Sequence, residues 1–194
     1  EAVFEELENE LALWWVRLSF SIYRRTVPLP RLKVFFGDVD EDGFFPFYRY
    51  GGDYIPVVRP WTPLLRAIRD GIEAEYGVRF NHLVVNRFAN GGEYIGPHHD
   101  KVRDFMPGTS IVTVSLEQPR LMRLNEVGGE KRVMERVVVP GSAYRLGWDT
   151  NLAWKHSVPK CSPRTVPGPR ISLTFREMKT WRHPETGELK EKLR

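Results

Sequence analysis

The spacing of apolar residues near the start of the chain predicts an amphipathic helix. Phe4, Leu7, Leu11 and Trp14 recur at intervals of three and four, so in a helix they share one face. Glutamates occupy the positions between them and would face solvent. We therefore expect the first helix to pack against a core through this face.

A second helix is predicted after Trp61, because the chain there carries both a start and a stop signal. Thr62 can cap the N-terminus, Pro63 suits the first helical position, and Gly77 suits the residue that ends a helix. The apolar positions between these signals fall on one face, and they are Leu65, Ile68 and Ile72.

Between the two helices, strands are predicted at 19–26 and 32–36 around a proline-containing turn, and 37–43 is an acidic turn. Beyond the second helix, short segments rich in β-branched and aromatic residues alternate with Gly, Pro and Asn. These predicted strands are 82–88, 111–116, 120–124, 133–139, 142–147 and 170–176. The pattern is typical of a mainly β (α+β) protein, a sandwich, barrel or jelly roll, with its helices packed outside.

Composition limits the class of protein. The chain has 194 residues, of which 41% are hydrophobic, 12% aromatic and 28% charged, which suits one globular domain. No run approaches the roughly 20 apolar residues of a membrane helix, so we expect no membrane partner. The single cysteine, Cys161, excludes an internal disulfide and a multi-cysteine zinc site.

The chain starts at Glu1 without a visible targeting segment, and we expect a monomer that is intracellular, nuclear or cytoplasmic.

Positive charge is concentrated between residues 17 and 33, which include no acid. This basic run contains two aromatic residues among its cations, and its members are Arg17, Phe20, Tyr23, Arg24, Arg25, Arg31 and Lys33. Arginine and lysine neutralise phosphates while rings stack on bases, so the run favours a polyanion as partner. A solvated pair of strands with extended arginine side chains is the alternative.

A candidate metal site begins at His98-His99-Asp100. In an extended segment His98 and Asp100 share a face, where an imidazole and a carboxylate can bind one metal ion. His156 is a plausible third ligand, although a lone histidine is more often structural. The triplet alone is a weak signal.

The segment 170–176 suggests what else such a site could hold. Alternation places Ile171, Leu173 and Phe175 on one face, and directs Arg170 and Arg176 toward the other. If that other face is interior, the arginines need an anionic partner, and a dicarboxylate between them would satisfy both. The alternative is an edge strand with two solvent-facing arginines.

Together these motifs resemble the AlkB family of Fe(II)- and 2-oxoglutarate-dependent nucleic-acid dioxygenases, and in particular its animal double-strand DNA repair branch. The resemblance lies in the order H-x-D, a distant histidine and then R-x5-R. It extends over nearly the whole chain, through Asn86-Arg87-Phe88, Gly141-Ser142, the segment 151–159, Pro30-Arg31, Phe36-Gly37-Asp38, Tyr48 to Gly51 and Pro60-Trp61.

The resemblance implies a jelly-roll (double-stranded β-helix) core that holds Fe(II) through His98, Asp100 and His156. The co-substrate 2-oxoglutarate would chelate the iron, and Arg170 would hold its far carboxylate. The other residues implied at the co-substrate are Asn86, Phe88, Ser172 and Arg176. With O2 as the second co-substrate, the family oxidises an alkyl group on a base nitrogen, which leaves as an aldehyde together with succinate and CO2.

The resemblance also implies nucleic-acid contacts. Tyr48 and Tyr50 match an aromatic pair that stacks on a flipped base, although ordinary strand aromatics are an alternative interpretation. Tyr23 lies where the branch carries a hairpin that wedges into the base stack, and the nearby cations would grip phosphates. Those cations are Arg24, Arg25 and Arg31.

Three departures from the family pattern affect these expectations. Phe88 replaces a tyrosine, whose hydroxyl Tyr144 or Tyr94 would have to supply, and Ser172 replaces an asparagine. Lys101 and Val102 stand where relatives have acids that contact the exocyclic amine of the lesion. Either Asp104 folds back over the site, or the substrate is another base, since an inward Lys101 would favour a carbonyl.

We expect residues 1–178 to form a single dioxygenase domain, with helices and nucleotide-recognition hairpins over 1–80 and the jelly-roll core over 81–178. The charged tail 179–194 is expected to fray or to form a loose helix. Two alternative functions stay open: the same iron chemistry on a C-methylated base or a protein side chain, and a non-catalytic nucleic-acid-binding module.

Overall fold

A computed structural model of the protein describes residues 2–22, 25–50, 54–128 and 130–193. Its helices are α1 (Ala2–Leu11), α2 (Pro63–Tyr76) and α3 (Trp148–Ala153), with a 3-10 turn at Val102–Asp104. Leu7 and Leu11 of α1 are fully buried in the main core, and Trp14 packs against it just beyond the helix. The predicted apolar face of α1 is confirmed.

The predicted start and stop of α2 are also confirmed. The Thr62 hydroxyl accepts a hydrogen bond from the backbone N–H of Leu65 at 3.2 Å, and Pro63 occupies the first turn. Gly77 has φ +62°, in the left-handed region, and its N–H donates to the carbonyl of Glu73 at 2.9 Å. Each signal acts locally, which explains why the sequence alone reveals it.

The strands in chain order are β1 (Ser19–Ile22), β2 (Arg25–Pro28), β3 (Leu32–Gly37), β4 (Phe45–Pro46), β5 (Val58–Pro60), β6 (His82–Phe88), β7 (Ile95–His98), β8 (Ile111–Glu117), β9 (Arg120–Glu126), β10 (Val133–Val138), β11 (Ala143–Leu146), β12 (Trp154–Val158), β13 (Arg170–Arg176), β14 (Thr180–Arg182) and β15 (Leu189–Glu191). The larger sheet has the order β11-β8-β13-β6-β3-β5, and a second sheet has the order β10-β9-β12-β7. Among the described strands only β3 and β5 pair in parallel; the other pairs are antiparallel. The two larger sheets form the expected jelly roll.

Strand β13 lies between β8 and β6, so it is a central strand of the larger sheet. Its residues Ile171, Leu173 and Phe175 are fully buried in the core that also receives α1 and α2. The opposite face carries Arg170 and Arg176, which are also buried, at 2% and 7% exposure. The predicted alternation is therefore confirmed, and the edge-strand alternative is wrong.

Most strand predictions agree closely with the structure, and those at 82–88 and 170–176 match residue for residue. The single strand expected over 19–26 is instead an antiparallel pair, β1 with β2. The sequence shows no clear hydrophobic periodicity at β7, β12 and α3, and these elements were not predicted. Gly96 and Pro97 interrupt β7, and its pairing partner β12 lies almost 60 residues further along the chain.

The expectation that the tail frays or forms a loose helix is wrong. β14 pairs with both β15 and β4, and Trp181 is buried at 6% exposure. The charges of the tail find partners in the acidic turn, because the ammonium groups of Lys190 and Lys192 contact Asp40 at 2.8 and 2.7 Å. The charges of Lys190 and Lys192 therefore form ion pairs with a distant turn.

We expect alanine at the two glycines of the second helix to change stability in opposite directions. Gly71 lies mid-helix with nothing within 4 Å of an added Cβ, so Gly71→Ala should raise the free energy of unfolding by about 0.5–1 kcal/mol. Gly77 has a positive φ, so Gly77→Ala should lower it by about 1–2 kcal/mol. Urea unfolding of both variants measures this, and a stabilising Gly77→Ala would contradict the left-handed assignment.

Candidate active site

A cavity of about 280 Å³ lies between the two larger sheets. One wall consists of residues from β3, β6, β8, β11 and β13, and the other of residues from β7, β9 and β12. The polar face of β13 opens into this cavity, because Arg170, Ser172, Thr174 and Arg176 all line it. The alternation that buries one face of β13 in the core thus places its polar face in the candidate site.

The side chains of His98, Asp100 and His156 meet on the wall formed by the sheet β10-β9-β12-β7. His98 ends β7 and is the register partner of His156 in β12, and their rings lie 4.2 Å apart between centroids. Asp100 follows two residues later, with Oδ1 3.7 Å from Nε2 of His98. One donor atom from each residue lies within 4.8 Å of the others. Two imidazoles and one carboxylate are a donor set typical of non-haem Fe(II).

Two residues, Asn151 and Arg176, hold Asp100 in place. Its backbone N–H donates to Oδ1 of Asn151, and Nδ2 of Asn151 donates back to the Asp100 carbonyl, each at 2.9 Å. Arg176 donates from Nε and Nη2 to Oδ2 of Asp100, at 2.9 and 2.7 Å. Oδ1 is left facing His98. Sequence reasoning assigned no role to Asn151, whose bonds to a residue 51 positions away leave no local signal.

The protonation states suit metal binding. Burial by itself would raise the pKa of Asp100, but Arg176, followed by His156 and His98, brings it down to about 2. Burial lowers the pKa of His156 to about 4 and also lowers the pKa of His98. At neutral pH the cluster is therefore a carboxylate and two neutral imidazoles, the forms that ligate metals.

Arg170 presents a cation at the cavity that has no carboxylate partner among the described residues. Its Nε donates to the Ser115 hydroxyl at 3.0 Å and its guanidinium lies 5.3 Å from the centroid of the Phe88 ring, but Nη1 is buried without a partner. Burial lowers the pKa of Arg170 to about 10, so it stays charged at neutral pH. A buried guanidinium with a free N–H fits a carboxylate, as the dicarboxylate co-substrate would supply.

Phe88 itself does not line the cavity; its ring lies beside the Arg170 guanidinium. Tyr144 lines the cavity and interacts electrostatically with Arg170, whereas the side chain of Tyr94 is 38% exposed and lies outside the lining. Of the two candidate hydroxyls, Tyr144 therefore lies where a co-substrate could reach it. Ser172 is buried in the cavity wall, and its register partner is Asn86.

The two arginines of β13 differ in what they can bind. The expectation that one dicarboxylate lies between them and neutralises both needs correction, since Arg176 already pairs with Asp100. The ion pair leaves only Nη1 of Arg176 buried without a partner. Arg170 is thus the arginine whose charge lacks a carboxylate among the described residues.

Tyr48 and Tyr50 line the same cavity. Their rings meet edge to face at 4.6 Å, and the Tyr48 hydroxyl accepts a hydrogen bond from the backbone N–H of Lys101 at 2.9 Å. Lys101 also lines the cavity, but Asp104 does not. Asp104 is almost fully buried and pairs with Arg49, at 2.9 Å to its backbone N–H and 3.2 Å to its Nε. It is held away from the cavity rather than folded over it.

The basic run is divided by the fold. Arg25 is exposed on β2, as a phosphate contact requires, whereas Tyr23 and Arg24 lie outside the described residues. Arg31 lies inside, at 8% exposure, where it donates to Oδ1 of Asn86 and to the carbonyl of Tyr94, each at 3.0 Å. The expected surface grip on phosphate therefore does not fit Arg31, because its guanidinium is part of the cavity wall.

Comparisons with known proteins agree with this site. Human "DNA oxidative demethylase ALKBH2" is 29% identical over 186 residues, covering 92% of this chain and 68% of that protein. The mouse protein of the same name is 30% identical, covering 92% and 74%. Bovine "Alpha-ketoglutarate-dependent dioxygenase alkB homolog 3" is 26% identical, covering 91% and 60%. A solved structure described as "The structure of OsALKBH1" has the same fold, with a TM-score of 0.58 and 17% identity over 90% of both chains.

No helix in the described residues is long and apolar enough to cross a membrane.

Residues 5–176 match the family model for the 2OG-Fe(II) oxygenase superfamily, and this range includes the three metal-binding candidates and both arginines of β13. The expected resemblance to AlkB proteins is confirmed by the curated relatives. Fold, donor set and sequence similarity therefore agree that this chain belongs to the 2OG-Fe(II) oxygenase superfamily.

Proposed function

We propose that this protein is an oxidative demethylase of N-alkylated bases in DNA or RNA that uses Fe(II), 2-oxoglutarate and O2. The observation that carries the proposal is the arrangement within one cavity. A His-Asp-His donor set, an unpaired buried arginine and a pair of tyrosines all line it. The names of the similar human and mouse proteins support the nucleic-acid substrate.

In this proposal His98, Asp100 and His156 hold the iron. When bound, Fe(II) supplies the redox chemistry by which O2 oxidises both 2-oxoglutarate, to succinate and CO2, and a C–H bond of the substrate alkyl group. Arg176 keeps Asp100 ionised and fixes its Oδ2, so that Oδ1 is presented beside His98. The contact of His98 Nδ1 with the Gly96 carbonyl at 2.9 Å suits a proton on Nδ1, which leaves Nε2 free for the metal.

Arg170 would bind the far carboxylate of 2-oxoglutarate. Ser115 holds the guanidinium through Nε and the Phe88 ring lies beside it, which leaves Nη1 as a buried N–H group without a partner. Tyr144 and Ser172 offer hydroxyls nearby, in place of the tyrosine hydroxyl that Phe88 lacks. Burial of this end excludes water from the carboxylate and strengthens the ion pair.

Tyr48 and Tyr50 would contact the flipped base. Stacking on their rings offsets the stacking that the base loses when it leaves the helix. The bond from the Lys101 N–H to the Tyr48 hydroxyl links this aromatic pair to the residue next to Asp100. The base would therefore be positioned relative to the iron by the same short segment that supplies a ligand.

We also propose that the protein acts as a monomer inside the cell, where nucleic acid is found. The alternative of hydroxylating a C-methylated base or a protein side chain predicts a retained hydroxymethyl product. A non-catalytic binding module predicts no succinate formed in response to nucleic acid.

We expect the Fe(II)-loaded protein to release formaldehyde from methylated oligonucleotides, and His98→Ala or His156→Ala to abolish this release. Each loses one of three protein ligands, which should weaken Mn(II) binding in calorimetry at least tenfold. His99→Ala is the matched control, since His99 contacts the Asn151 carbonyl through Nδ1 and lies outside the donor set. Loss of metal binding in His99→Ala alone would refute the ligand assignment, and a hydroxymethyl product without formaldehyde would favour the alternative.

Arg170→Ala should raise the KM for 2-oxoglutarate at least about a hundredfold, because breaking a buried ion pair costs about 3–5 kcal/mol. Steady-state succinate formation at increasing 2-oxoglutarate measures this. Arg145→Ala is a control on β11, two strands from β13 in the same sheet, where the exposed Arg145 donates to the Ser110 hydroxyl. An unchanged KM in Arg170→Ala would refute its role.

Arg25→Ala should weaken binding to duplex DNA and reduce the dependence of affinity on salt. Each lost phosphate contact lowers the slope of log K against log salt concentration by about 0.9. Arg66→Ala, at an exposed position of α2, serves as the control and should leave the slope unchanged. Fluorescence anisotropy at several salt concentrations makes the comparison, and equal slopes for both variants would exclude Arg25 as a phosphate contact.

A further inference from the structure

Lys33 lies inside the cavity rather than in the exposed part of the basic run. It belongs to β3, is 6% exposed and lines the cavity beside Tyr50. Its ammonium lies 4.8 Å from the centroid of the Tyr50 ring and 5.9 Å from that of Phe35. Among the described residues it forms no ion pair within 4 Å, so a buried amine is left facing the space where a base would stack.

The cavity offers Lys33 almost no carboxylate with which to pair. Arg31, Lys101 and Arg176 line the same cavity, whereas Asp100 is the single carboxylate among its described lining residues. Asp100 is already bound by Arg176. Burial, together with Arg31 and Arg176, lowers the pKa of Lys33 well below its usual value. The cavity is therefore rich in hydrogen-bond donors and poor in acceptors.

Lys33 also lies apart from the co-substrate end. The register partner of Lys33 is Asn86 in β6, and that of Asn86 is Ser172 in β13. Lys33 is thus two strands from β13, about 10 Å across the sheet, while Arg170 lies on β13 itself. This separation places the amine on the side of the tyrosines rather than beside the carboxylate site.

Methylated bases differ in charge and in the groups beside the methylated nitrogen. N1-methyladenine and N3-methylcytosine are cations when the methylated ring keeps its amino group, and that amine needs an acceptor. N3-methylthymine and N3-methyluracil are neutral, with a carbonyl oxygen on each side of the methylated nitrogen. Lysine donates hydrogen bonds to carbonyls, and a cluster of cations repels a cationic base.

We propose that Lys33, aided by Lys101, makes the cavity selective for neutral N3-methylated pyrimidines with two carbonyls, over cationic N1-methyladenine and N3-methylcytosine. This inference rests on the proposed demethylase function and names its substrate class. The same base chemistry occurs as thymine in DNA and as uracil in RNA. Lys33 would bind one carbonyl oxygen while the ring stacks on Tyr50, which provides the ammonium with the acceptor it lacks.

The test uses oligonucleotides that differ only in one base: N3-methylthymine, N3-methylcytosine or N1-methyladenine in DNA, and N3-methyluracil in RNA. Formaldehyde release is measured as kcat/KM with the Fe(II)-loaded protein. Affinity is measured separately, in anaerobic protein loaded with Mn(II) and 2-oxoglutarate, where no turnover occurs. We expect both readouts to favour the neutral pyrimidines at least about tenfold over the cationic bases.

Lys33→Met removes the hydrogen-bond donor at similar length, and Lys33→Gln retains a donor if the first variant folds poorly. We expect Lys33→Met to lose at least tenfold in affinity for N3-methylthymine but not for N3-methylcytosine, with the KM for 2-oxoglutarate unchanged. Lys33→Gln should lose less on N3-methylthymine. Lys160→Met, at an exposed position, is the control and should have the same affinities and the same KM for 2-oxoglutarate as the protein without substitutions.

Equal losses on all bases, or a raised KM for 2-oxoglutarate, would overturn the specificity role of Lys33. A preference of the unmodified protein for N3-methylcytosine or N1-methyladenine would do the same. Selective binding of N3-methylthymine without formaldehyde release would support the recognition and contradict the proposed demethylase function. The two proposals can therefore fail separately.

Discussion

The ion pair between Arg176 and Asp100 is the interaction on which the rest of the site depends. It joins the end of β13 in the larger sheet to the segment that follows β7 in the smaller one, across 76 residues of sequence. Both partners are almost fully buried, so removing either would leave an uncompensated charge in the interior. The pair therefore fixes the separation of the two sheets at the point where the metal-binding candidates meet.

Because Arg176 is bound to Asp100, the arginines at the two ends of β13 have different roles. At Arg176 the charge is used to keep Asp100 ionised and oriented, which is a positioning role for a metal ligand. At Arg170 the charge has no carboxylate partner among the described residues, which leaves it available for an anionic ligand. Two arginines six residues apart on one strand face thus differ in function because their surroundings differ.

Excess positive charge in the cavity has a physical consequence for the substrate. Cations at Arg31 and Lys101, together with the N–H donors of Lys33, favour anions and carbonyl dipoles, and the cations oppose a cationic base. Asp104, the nearest acid after Asp100 in sequence, is held by Arg49 and cannot offset them without losing its own ion pair. Lys101 and Val102 stand where the AlkB pattern has acids, and Lys33 adds a further donor. Together they make the cavity rich in hydrogen-bond donors and poor in acceptors.

The sequence by itself determined those features whose cause is local. The cap at Thr62, the stop at Gly77, the strand at 82–88 and the alternation along β13 depend on neighbours within a few positions, and the structure confirms them. The motif order also identified His98, Asp100 and His156 before their geometry was known. Only the tertiary structure decided which residues meet across the sheets: Asn151 with Asp100, Asp104 with Arg49, and Lys33 with the face of Tyr50. The physical reason is that sheet order and register set these contacts, and both arise from packing of the whole chain rather than from any one segment.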